Sequence, residues 1–425
     1  MTIAIMLIAI GILMAIRVPV ALSILGPSLV YMLATGNSPG FAMRIAADGI
    51  ASFPLLAVPL FILLGTVANY SGVADRLFEF AESLLHRVTG NLGYVNVMAS
   101  IGFAWMSGSA LADAAAMGKT LVPAMERAGF KKSFATGLTA SSSLISPVMP
   151  PSIPAVIYAS VAAVSTGALF AASVLPALLL AAALLVVVAL YIARHKDELV
   201  GSAEKPRPIG QATVRVIGAM LTPVIILGGI LGGFFTPTEA AALGALYIII
   251  LGFVYKKLTL ATLWKALRET AVTTASIMLI IVAATILGWI LAREEVPQAL
   301  SSFMTGNLDS SVAFLLVTAV LLLILGAFID ATALLLITVP ILLPVAVEFG
   351  VDPIHFGVVT ILALMMGLLT PPVGTVLFVM SSVLRMPVGE VFRGVLPFLV
   401  PIGVVLLLLI FFPAIVTVVP SAIGM

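Results

Sequence analysis

The stretch SGSALADAAAMG, residues 107–118, places two serines, two glycines and an aspartate inside strongly apolar sequence. The small and polar residues at its start interrupt a pair of apolar arms, residues 92–106 and 109–125. A second apolar pair, residues 311–328 and 331–347, is interrupted in the same way. We interpret each pair as a re-entrant helical hairpin, which enters and leaves a membrane on the same side.

The composition of the 425-residue chain predicts an all-α polytopic membrane protein. Hydrophobic residues make up 62% of the chain and charged residues 9%, and the mean hydropathy is +1.27. A soluble globular domain carries about 25% charged residues. Long apolar runs such as 174–192 and 396–419 indicate helices, because a transmembrane barrel has short alternating strands. The absence of cysteine excludes disulfides, thiolate metal sites and a cysteine nucleophile.

Ten membrane spans are predicted outside the two hairpins. The first is expected to be a retained helix, because it lacks a basic leader and a small-residue cleavage site. The spans cover residues 3–16, 18–35, 54–70, 134–163, 168–193, 213–232, 237–255, 272–292, 355–384 and 396–420.

The distribution of basic residues orients these spans. With both hairpins re-entrant, both termini lie on the periplasmic side and the polar segment from Arg194 to Gln211 is cytoplasmic. Of the 20 lysines and arginines, only Arg44 and Arg293 then fall outside. This strong positive-inside bias supports the topology. The cytoplasmic set is Arg17, Arg76, Arg87, Lys119, Arg127, Lys131, Lys132, Arg194, Lys196, Lys205, Arg207, Arg215, Lys256, Lys257, Lys265, Arg268, Arg385 and Arg393.

Three features recur in the same order in both halves of the chain. The sequence TGNL begins at Thr89 and again at Thr305, an offset of 216 residues. A lone aspartate follows each copy, at Asp113 and at Asp330, an offset of 217. Proline pairs in apolar sequence come next, at 150–151 and 371–372, an offset of 221. A nearly constant offset predicts an internal duplication.

Each half holds five spans and one hairpin, and an odd number of crossings inverts the second copy. We therefore predict two inverted repeats, the design of secondary transporters. The boundaries are residues 1–196 for the first repeat, with hairpin 1 at about 92–125 and a broken span at 134–163; 197–212 for a cytoplasmic loop; and 213–425 for the second repeat, with hairpin 2 at about 311–347 and a broken span at 355–384.

Three acidic residues lie within apolar sequence, and one has a structural explanation. Glu239 completes a capping box with Thr236 in the sequence TPTE. We identify no comparable cap for Asp113 or Asp330. An ionisable group at bilayer depth costs about 2.5–3.5 kcal/mol, so it normally faces a partner, water or an ion. The alternative is a buried aspartate bonded to backbone donors of its own hairpin.

The proline pairs supply a second polar feature, because a proline inside a span removes a backbone donor and frees carbonyls of the preceding turn. Two successive prolines are expected to unwind the helix. Ser146, Met149 and Pro151 in the first half, and Thr370 and Val373 in the second, would then present oxygens of the kind that hard cations prefer. The alternative is a plain kink packed by its neighbours.

Taken together, the motifs resemble one transporter family. They are similar to the large membrane subunit of tripartite ATP-independent periplasmic (TRAP) transporters, over essentially all 425 residues. The resemblance implies a bacterial inner-membrane elevator transporter coupled to sodium. It also implies a small four-helix membrane subunit, a periplasmic substrate-binding protein and an organic-acid substrate as partners, and no nucleic acid. The motifs are SGSALADAAAMG, SPVMPPSIP, TPTEAAALGALY, GAFIDATALLLITVPILLPV and GLLTPPVGTVLF.

The resemblance also assigns roles to individual residues. Asp113 would steady the first hairpin, and an arginine near the position of Arg293 would meet a substrate carboxylate. For Arg293, a salt bridge with Glu294 or Glu295, or interfacial snorkelling, is an equal alternative. The first sodium site would use Ser107, Ser109, Ser146, Met149 and Pro151, and the second Asp330, Thr370 and Val373.

Two amphipathic stretches, residues 76–88 and 260–271, are expected to lie at the cytoplasmic interface and to brace the hairpins within an elevator scaffold. The small subunit is expected to be a separate chain, because no extra helices precede Met1 or fill the middle loop.

Two other functions share features with this sequence. An intramembrane aspartyl protease also pairs two aspartates, but neither Asp113 nor Asp330 lies in a Gly-x-Gly-Asp or Tyr-Asp context, so we predict no enzyme. A stand-alone sodium/anion symporter of the same superfamily, working without a binding protein, remains the nearer alternative.

Overall fold

A computed structural model of the protein describes residues 3–16, 18–199 and 207–424. In these ranges the chain forms 21 α-helices and one short 3-10 turn, and no strand. Arg17 and Lys205, which we assigned to the cytoplasmic side, lie outside the described residues, as do residues 200–206 of the predicted loop.

The first half of the chain contains eleven of the helices. They are α1 (Ile3–Ala15), α2 (Val20–Ala34), α3 (Pro39–Ile50), the 3-10 turn (Phe53–Leu56), α4 (Ala57–Ser71), α5 (Val73–Leu85), α6 (Asn91–Ser107), α7 (Ala110–Arg127), α8 (Lys132–Ser142), α9 (Ile145–Val148), α10 (Ile153–Ala162) and α11 (Thr166–Arg194). Helices α6 and α7 form hairpin 1, and α8 to α10 form the first broken span.

The second half contains the other ten. They are α12 (Ile209–Leu231), α13 (Pro237–Val254), α14 (Leu260–Arg293), α15 (Val296–Thr305), α16 (Ser311–Gly326), α17 (Ala331–Glu348), α18 (Pro353–Gly367), α19 (Thr375–Leu384), α20 (Val388–Phe411) and α21 (Ala414–Ala422). Helices α16 and α17 form hairpin 2, and α18 and α19 form the second broken span.

Eight helical segments of the described chain are long and apolar enough to cross a membrane. All but Ala331–Glu348, an arm of hairpin 2, coincide with predicted spans. The predicted spans at 3–16, 18–35 and 355–384 appear as shorter apolar helices. The eight segments agree with a polytopic α-helical membrane protein.

The sequence prediction was wrong about several boundaries. The amphipathic stretch 260–271 is not a separate helix but the first part of the 34-residue α14. No proline or glycine separates it from the span that follows, so the hydrogen-bond ladder continues. The predicted span 396–420 is divided at Pro413, where α20 ends and α21 begins. Helices α3 and α15 were not predicted.

Local sequence explains where the helices begin. Thr236 and Glu239 form the predicted capping box, in which the Thr236 amide donates to the Glu239 carboxylate at 2.8 Å. Ser109 and Ser152 cap α7 and α10 by accepting from backbone amides three residues ahead. The peptide bonds within both proline pairs are cis.

The helices pack in two groups, and the packing is reciprocal between the halves. In the flanking unit, here α1 to α5 and α12 to α15, α4 packs on α13 while α2 packs on α14. In the hairpin unit, here both hairpins, α8 to α11 and α18 to α21, α8 packs on α20 while α11 packs on α18. Likewise α7 packs on α19, and α10 on α17.

The first broken span is the most enclosed of the candidate membrane spans in the described chain. Of its most apolar window, 83% is buried by the protein itself, against 33–56% for the other candidate spans. Its irregular backbone is therefore surrounded by protein, which is the condition under which a broken helix is tolerated at membrane depth.

Candidate functional site

A cavity of about 650 Å³ lies where the two hairpins and the first broken span meet. The tip of hairpin 1 contributes residues 107–112, and the tip of hairpin 2 contributes residues 330–333. The opposite wall comes from the flanking unit, through one face of α4 and one face of α14. The cavity therefore lies on the boundary between the two units and receives the polar tips of both hairpins.

The tip of hairpin 1 rests directly on the first helix break. Gly108 has a positive φ of 59°, and a Cβ at this position would lie 2.9 Å from the Pro151 carbonyl oxygen. Glycine is thus required both for the turn and for the close approach. Two serines flank it: the Ser107 hydroxyl donates to the Ser109 carbonyl at 3.4 Å, and Ser109 caps α7. The residues of the first predicted sodium site that lie on the tip and on the break are therefore adjacent.

Asp113 joins hairpin 1 to the same break through a side chain. It is fully buried, and the Ser146 hydroxyl donates to its Oδ2 atom at 3.0 Å. Its Oδ1 atom has no hydrogen-bond partner among the described residues. The alternative was that Asp113 accepts hydrogen bonds from backbone amides of its own hairpin. The structure shows the Ser146 side chain, on another helix, as the donor. The position of this bond, between hairpin 1 and the first break, agrees with a role for Asp113 in holding the hairpin against the break.

We expect Ser146→Ala to destabilise the protein, because it leaves a fully buried carboxyl group without its one hydrogen-bond donor. The cost of such a loss is about 1–3 kcal/mol. Thermal unfolding in sodium-free detergent solution measures the effect without involving transport. Ser173→Ala is the matched control, since among the described residues the buried Ser173 hydroxyl bonds only to its own helix, at the Leu169 carbonyl.

A double variant separates this bond from other effects of Ser146. If Asp113→Ala and Ser146→Ala act through the same bond, the double variant should lose less stability than the sum of the two single variants. Strictly additive losses would contradict the assignment.

The tip of hairpin 2 contacts the second break through its backbone. The Ala327 carbonyl accepts from the amides of Val373 at 2.9 Å and Gly374 at 3.3 Å. Gly326 and Gly367 lie so close that a Cβ on Gly367 would be 2.7 Å from the Gly326 Cα. No hydrogen bond joins Asp330 to Thr370 within the described residues, and the Thr370 hydroxyl donates to the Met366 carbonyl. The tip and the break are nevertheless neighbours.

Asp330 is itself a helix cap, and our prediction that no cap explains this residue was wrong. It is the N-cap of α17, and its Oδ1 atom accepts from the amides of Thr332 at 2.9 Å and Ala333 at 3.4 Å. Its Oδ2 atom makes no hydrogen bond with any described residue, and the half-buried side chain lines the cavity. A single carboxylate therefore serves the hairpin with one oxygen and leaves the other available to the cavity.

Backbone oxygens at both breaks have no donor. Among the described residues, none donates a hydrogen bond to the carbonyls of Met149, Pro151, Thr370 or Val373. Unpaired carbonyls away from water are costly unless a cation, water or another donor meets them. The buried carbonyls of Met149 and Pro151 suit a hard cation, and the two sodium sites stay a prediction.

The two breaks differ in exposure. Residues 149–152 are buried, whereas residues 371–373 are exposed. The two halves of the chain therefore hold the same motif in different surroundings.

Arg293 lies away from the cavity. It is exposed at the end of α14, where its guanidinium donates to the Asn37 side-chain oxygen at 3.1 Å and lies 5.3 Å from the centre of the Trp289 ring. It forms no salt bridge with Glu294 or Glu295 in the described chain. In this arrangement the structure does not bring Arg293 together with the other predicted site residues.

Sequence reasoning missed the hydroxyl groups of the cavity wall. Thr66 on α4 and Thr273 and Ser276 on α14 line the cavity opposite the hairpin tips. Single hydroxyls in apolar spans are common, so each alone carries no signal. Their neighbours Ile277 and Ile280 continue the same helical face, and that three-to-four-residue spacing is the pattern that could have identified the wall.

Comparison with known proteins places these features in context. A family profile described as "Tripartite ATP-independent periplasmic transporter, DctM component" matches residues 7–415. The sialic acid TRAP transporter large permease protein SiaM of Vibrio cholerae is 45% identical, with 95% of each chain covered. The 2,3-diketo-L-gulonate TRAP transporter large permease protein YiaN of Escherichia coli is 36% identical, with 94% of each covered.

Some relatives are longer than this chain, and solved structures share its fold. The sialic acid TRAP transporter permease protein SiaT of Haemophilus influenzae is 42% identical over 96% of this chain and 67% of its own length. The YdaH transporter of Alcanivorax borkumensis aligns with a TM-score of 0.60 over 87% of each chain, at 14% identity. At that identity the likeness concerns the fold alone.

Proposed function

The chain belongs to the tripartite ATP-independent periplasmic transporter family, as its DctM component, and from this premise we propose that it is the translocating subunit of a sodium-coupled importer of an organic acid. It is a transporter subunit rather than an enzyme. The nearer alternative of a symporter that works without a binding protein is not favoured by this family membership.

The observation that carries the proposal is the cavity between the hairpin tips. It joins both tips to the first break, and its far wall belongs to the flanking unit. The cavity accommodates a small molecule, since ligand sites are typically about 300–1,000 Å³. Helices α7 and α17 both begin at its edge, and helix N-termini favour anions. A carboxylate substrate fits these features.

Sodium coupling is supported by the oxygen groups beside the cavity. The first candidate site combines Ser107, Ser109 and Ser146 with the backbone of Met149 and Pro151. The second combines Asp330 with the backbone around Thr370 and Val373. Bound sodium would offset the unpaired oxygens and couple uptake to the sodium gradient.

The relatives suggest substrates and partners. Two of them are named as sialic acid transporters and another as a 2,3-diketo-L-gulonate transporter, and both of these substrates are organic acids. We propose a small membrane subunit and a periplasmic binding protein as partners, in the bacterial inner membrane. On the predicted topology both termini are periplasmic.

The proposed movement is an elevator built from two inverted repeats. Reciprocal packing supports the repeats, because α4 on α13 is matched by α2 on α14, and α8 on α20 by α11 on α18. The hairpin unit would slide against the flanking unit and carry the site from one side to the other.

Reconstitution tests this function. Proteoliposomes containing the chain and its small subunit, supplied with the binding protein, should take up radiolabelled sialic acid when sodium is higher outside. Uptake should be absent when potassium replaces sodium on both sides, and when the binding protein is omitted. Equal uptake with potassium would contradict sodium coupling, and uptake without the binding protein would favour the symporter alternative.

A further inference from the structure

A second cavity lies on the same boundary between the hairpin unit and the flanking unit. Its volume is about 360 Å³. Asp48, Ser52 and Thr285 line it from the flanking unit, and Ser160 and Pro340 line it from the hairpin unit. None of the motifs used above accounts for it.

Four chain segments pass both cavities in the same order. The segment that leads into α4 lines the first cavity near residue 66 and the second near residue 52, and α14 lines them near residues 273 and 285. In the same way, α10 lines them near residues 154 and 160, and α17 lines them near residues 331 and 340. Along α14, the 12 residues from Thr273 to Thr285 span about 18 Å at 1.5 Å per residue. On the predicted topology the second cavity is therefore nearer the periplasmic side, more than half a bilayer core away from Thr273.

The units touch each other through small side chains at this outer level. The hydroxyl oxygens of Ser52 and Ser160 lie 3.3 Å apart, within hydrogen-bond distance. Gly288 of α14 faces Pro340 of α17, and a Cβ on Gly288 would lie 3.8 Å from the Pro340 Cβ. Ser52 precedes α4 and Ser160 lies in the last turns of α10, so this hydrogen bond joins the two units. Elsewhere on the boundary, the Ser301 hydroxyl of α15 donates to the Glu348 carboxylate of α17.

Building on the proposed function, we propose that Ser52 and Ser160 are positioning residues that close the periplasmic side of the boundary while the substrate cavity is open to the other side. The lining of the substrate cavity agrees with this, since Val20 and Val272, at the cytoplasmic ends of their predicted spans, both line it. The hydrogen bond must break before the hairpin unit can move outward. The second cavity is the space that lies behind this contact.

The strength of the contact suits a reversible closure. A neutral hydrogen bond changes a two-state equilibrium by roughly two- to twelvefold. Such a bond favours the closed state without making it permanent. Sodium or the binding protein reverses the equilibrium if it binds the open state more tightly by a comparable factor.

Crosslinking provides the first test, and the cysteine-free chain makes it specific. Ser52→Cys and Ser160→Cys are combined, and the two thiols are bridged with Hg²⁺ in proteoliposomes. We expect the bridge to form and to abolish uptake, and an excess of dithiothreitol to restore it. The matched control combines Ser100→Cys with Ser142→Cys, whose hydroxyl oxygens are 3.0 Å apart within the hairpin unit. Bridging that pair should leave uptake intact.

The results separate this inference from the proposed function. If the unmodified chain transports but the Ser52–Ser160 bridge forms without loss of uptake, or does not form, the closure is wrong and the transport function stands. If the unmodified chain does not transport, the proposed function fails, and the closure is then decided by the second test.

The second test needs no transport. Thr285→Cys lines the outer cavity, and its alkylation by a membrane-impermeant maleimide from the periplasmic side reports opening. Adding Ser160→Ala should raise the alkylation rate by roughly two- to twelvefold. Adding Ser173→Ala instead should leave it unchanged, because Ser173 bonds within α11. Equal rates in both backgrounds would overturn the proposed closure.

Discussion

Asp330→Asn should raise the sodium concentration needed for half-maximal uptake by on the order of tenfold to a hundredfold, while the protein remains folded. Asparagine caps helices about as well as aspartate, so the bonds to Thr332 and Ala333 can persist. What disappears is the negative charge on the oxygen that faces the cavity. A loss of 1.4 kcal/mol in binding already corresponds to tenfold in affinity. Uptake in proteoliposomes over a sodium titration measures the change.

Asp352 offers a matched control for this variant. It caps α18 with the same geometry, accepting from the amides of Ile354 and His355 at 2.9 Å each, but it is exposed and does not line the cavity. Asp352→Asn should therefore leave the sodium dependence unchanged. A similar shift in both variants would point to helix capping, and an unchanged sodium dependence in Asp330→Asn would remove Asp330 from the proposed site.

Gly394→Ala should cause a large loss of stability, because two helices cross there backbone to backbone. A Cβ on Gly394 would overlap the Ser133 carbonyl oxygen, and one on Gly137 would overlap the Gly394 carbonyl. Backbone atoms cannot rotate away as a side chain does, so α8 and α20 would have to separate. Overpacking of this kind costs about 1–3 kcal/mol and occasionally more. The apparent melting temperature in detergent should fall by several degrees.

Gly389→Ala in the same helix is the control. No atom lies within 4 Å of a Cβ at that position, and alanine favours a helix over glycine by up to about 1 kcal/mol. The melting temperature should therefore hold or rise. An unchanged or raised melting temperature in Gly394→Ala would contradict the close crossing of α8 and α20.

Several properties of this protein followed from sequence alone, because they depend on composition and on neighbours along the chain. Apolar runs predicted an all-helical membrane protein, and the interruptions at 107–109 and near Asp330 located both hairpin tips. The capping box at Thr236 was predicted for the same reason, since it needs only four consecutive residues. The combined motifs also identified the family.

Other features were decided by tertiary structure, because they depend on groups far apart in the chain. The cap formed by Asp330 is local, since it bonds to Thr332 and Ala333, but tertiary structure decided that the same side chain lines a cavity. The bond between Asp113 and Ser146 joins separate helices. Arg293 lies beside Asn37 because α14 is one continuous rod, and its length places that side chain at the end of the helix, away from the cavity. Local sequence determines where a helix starts and how apolar it is. Which face of the helix meets another helix is determined by packing between the units, because no pattern within one helix encodes the helix that it contacts.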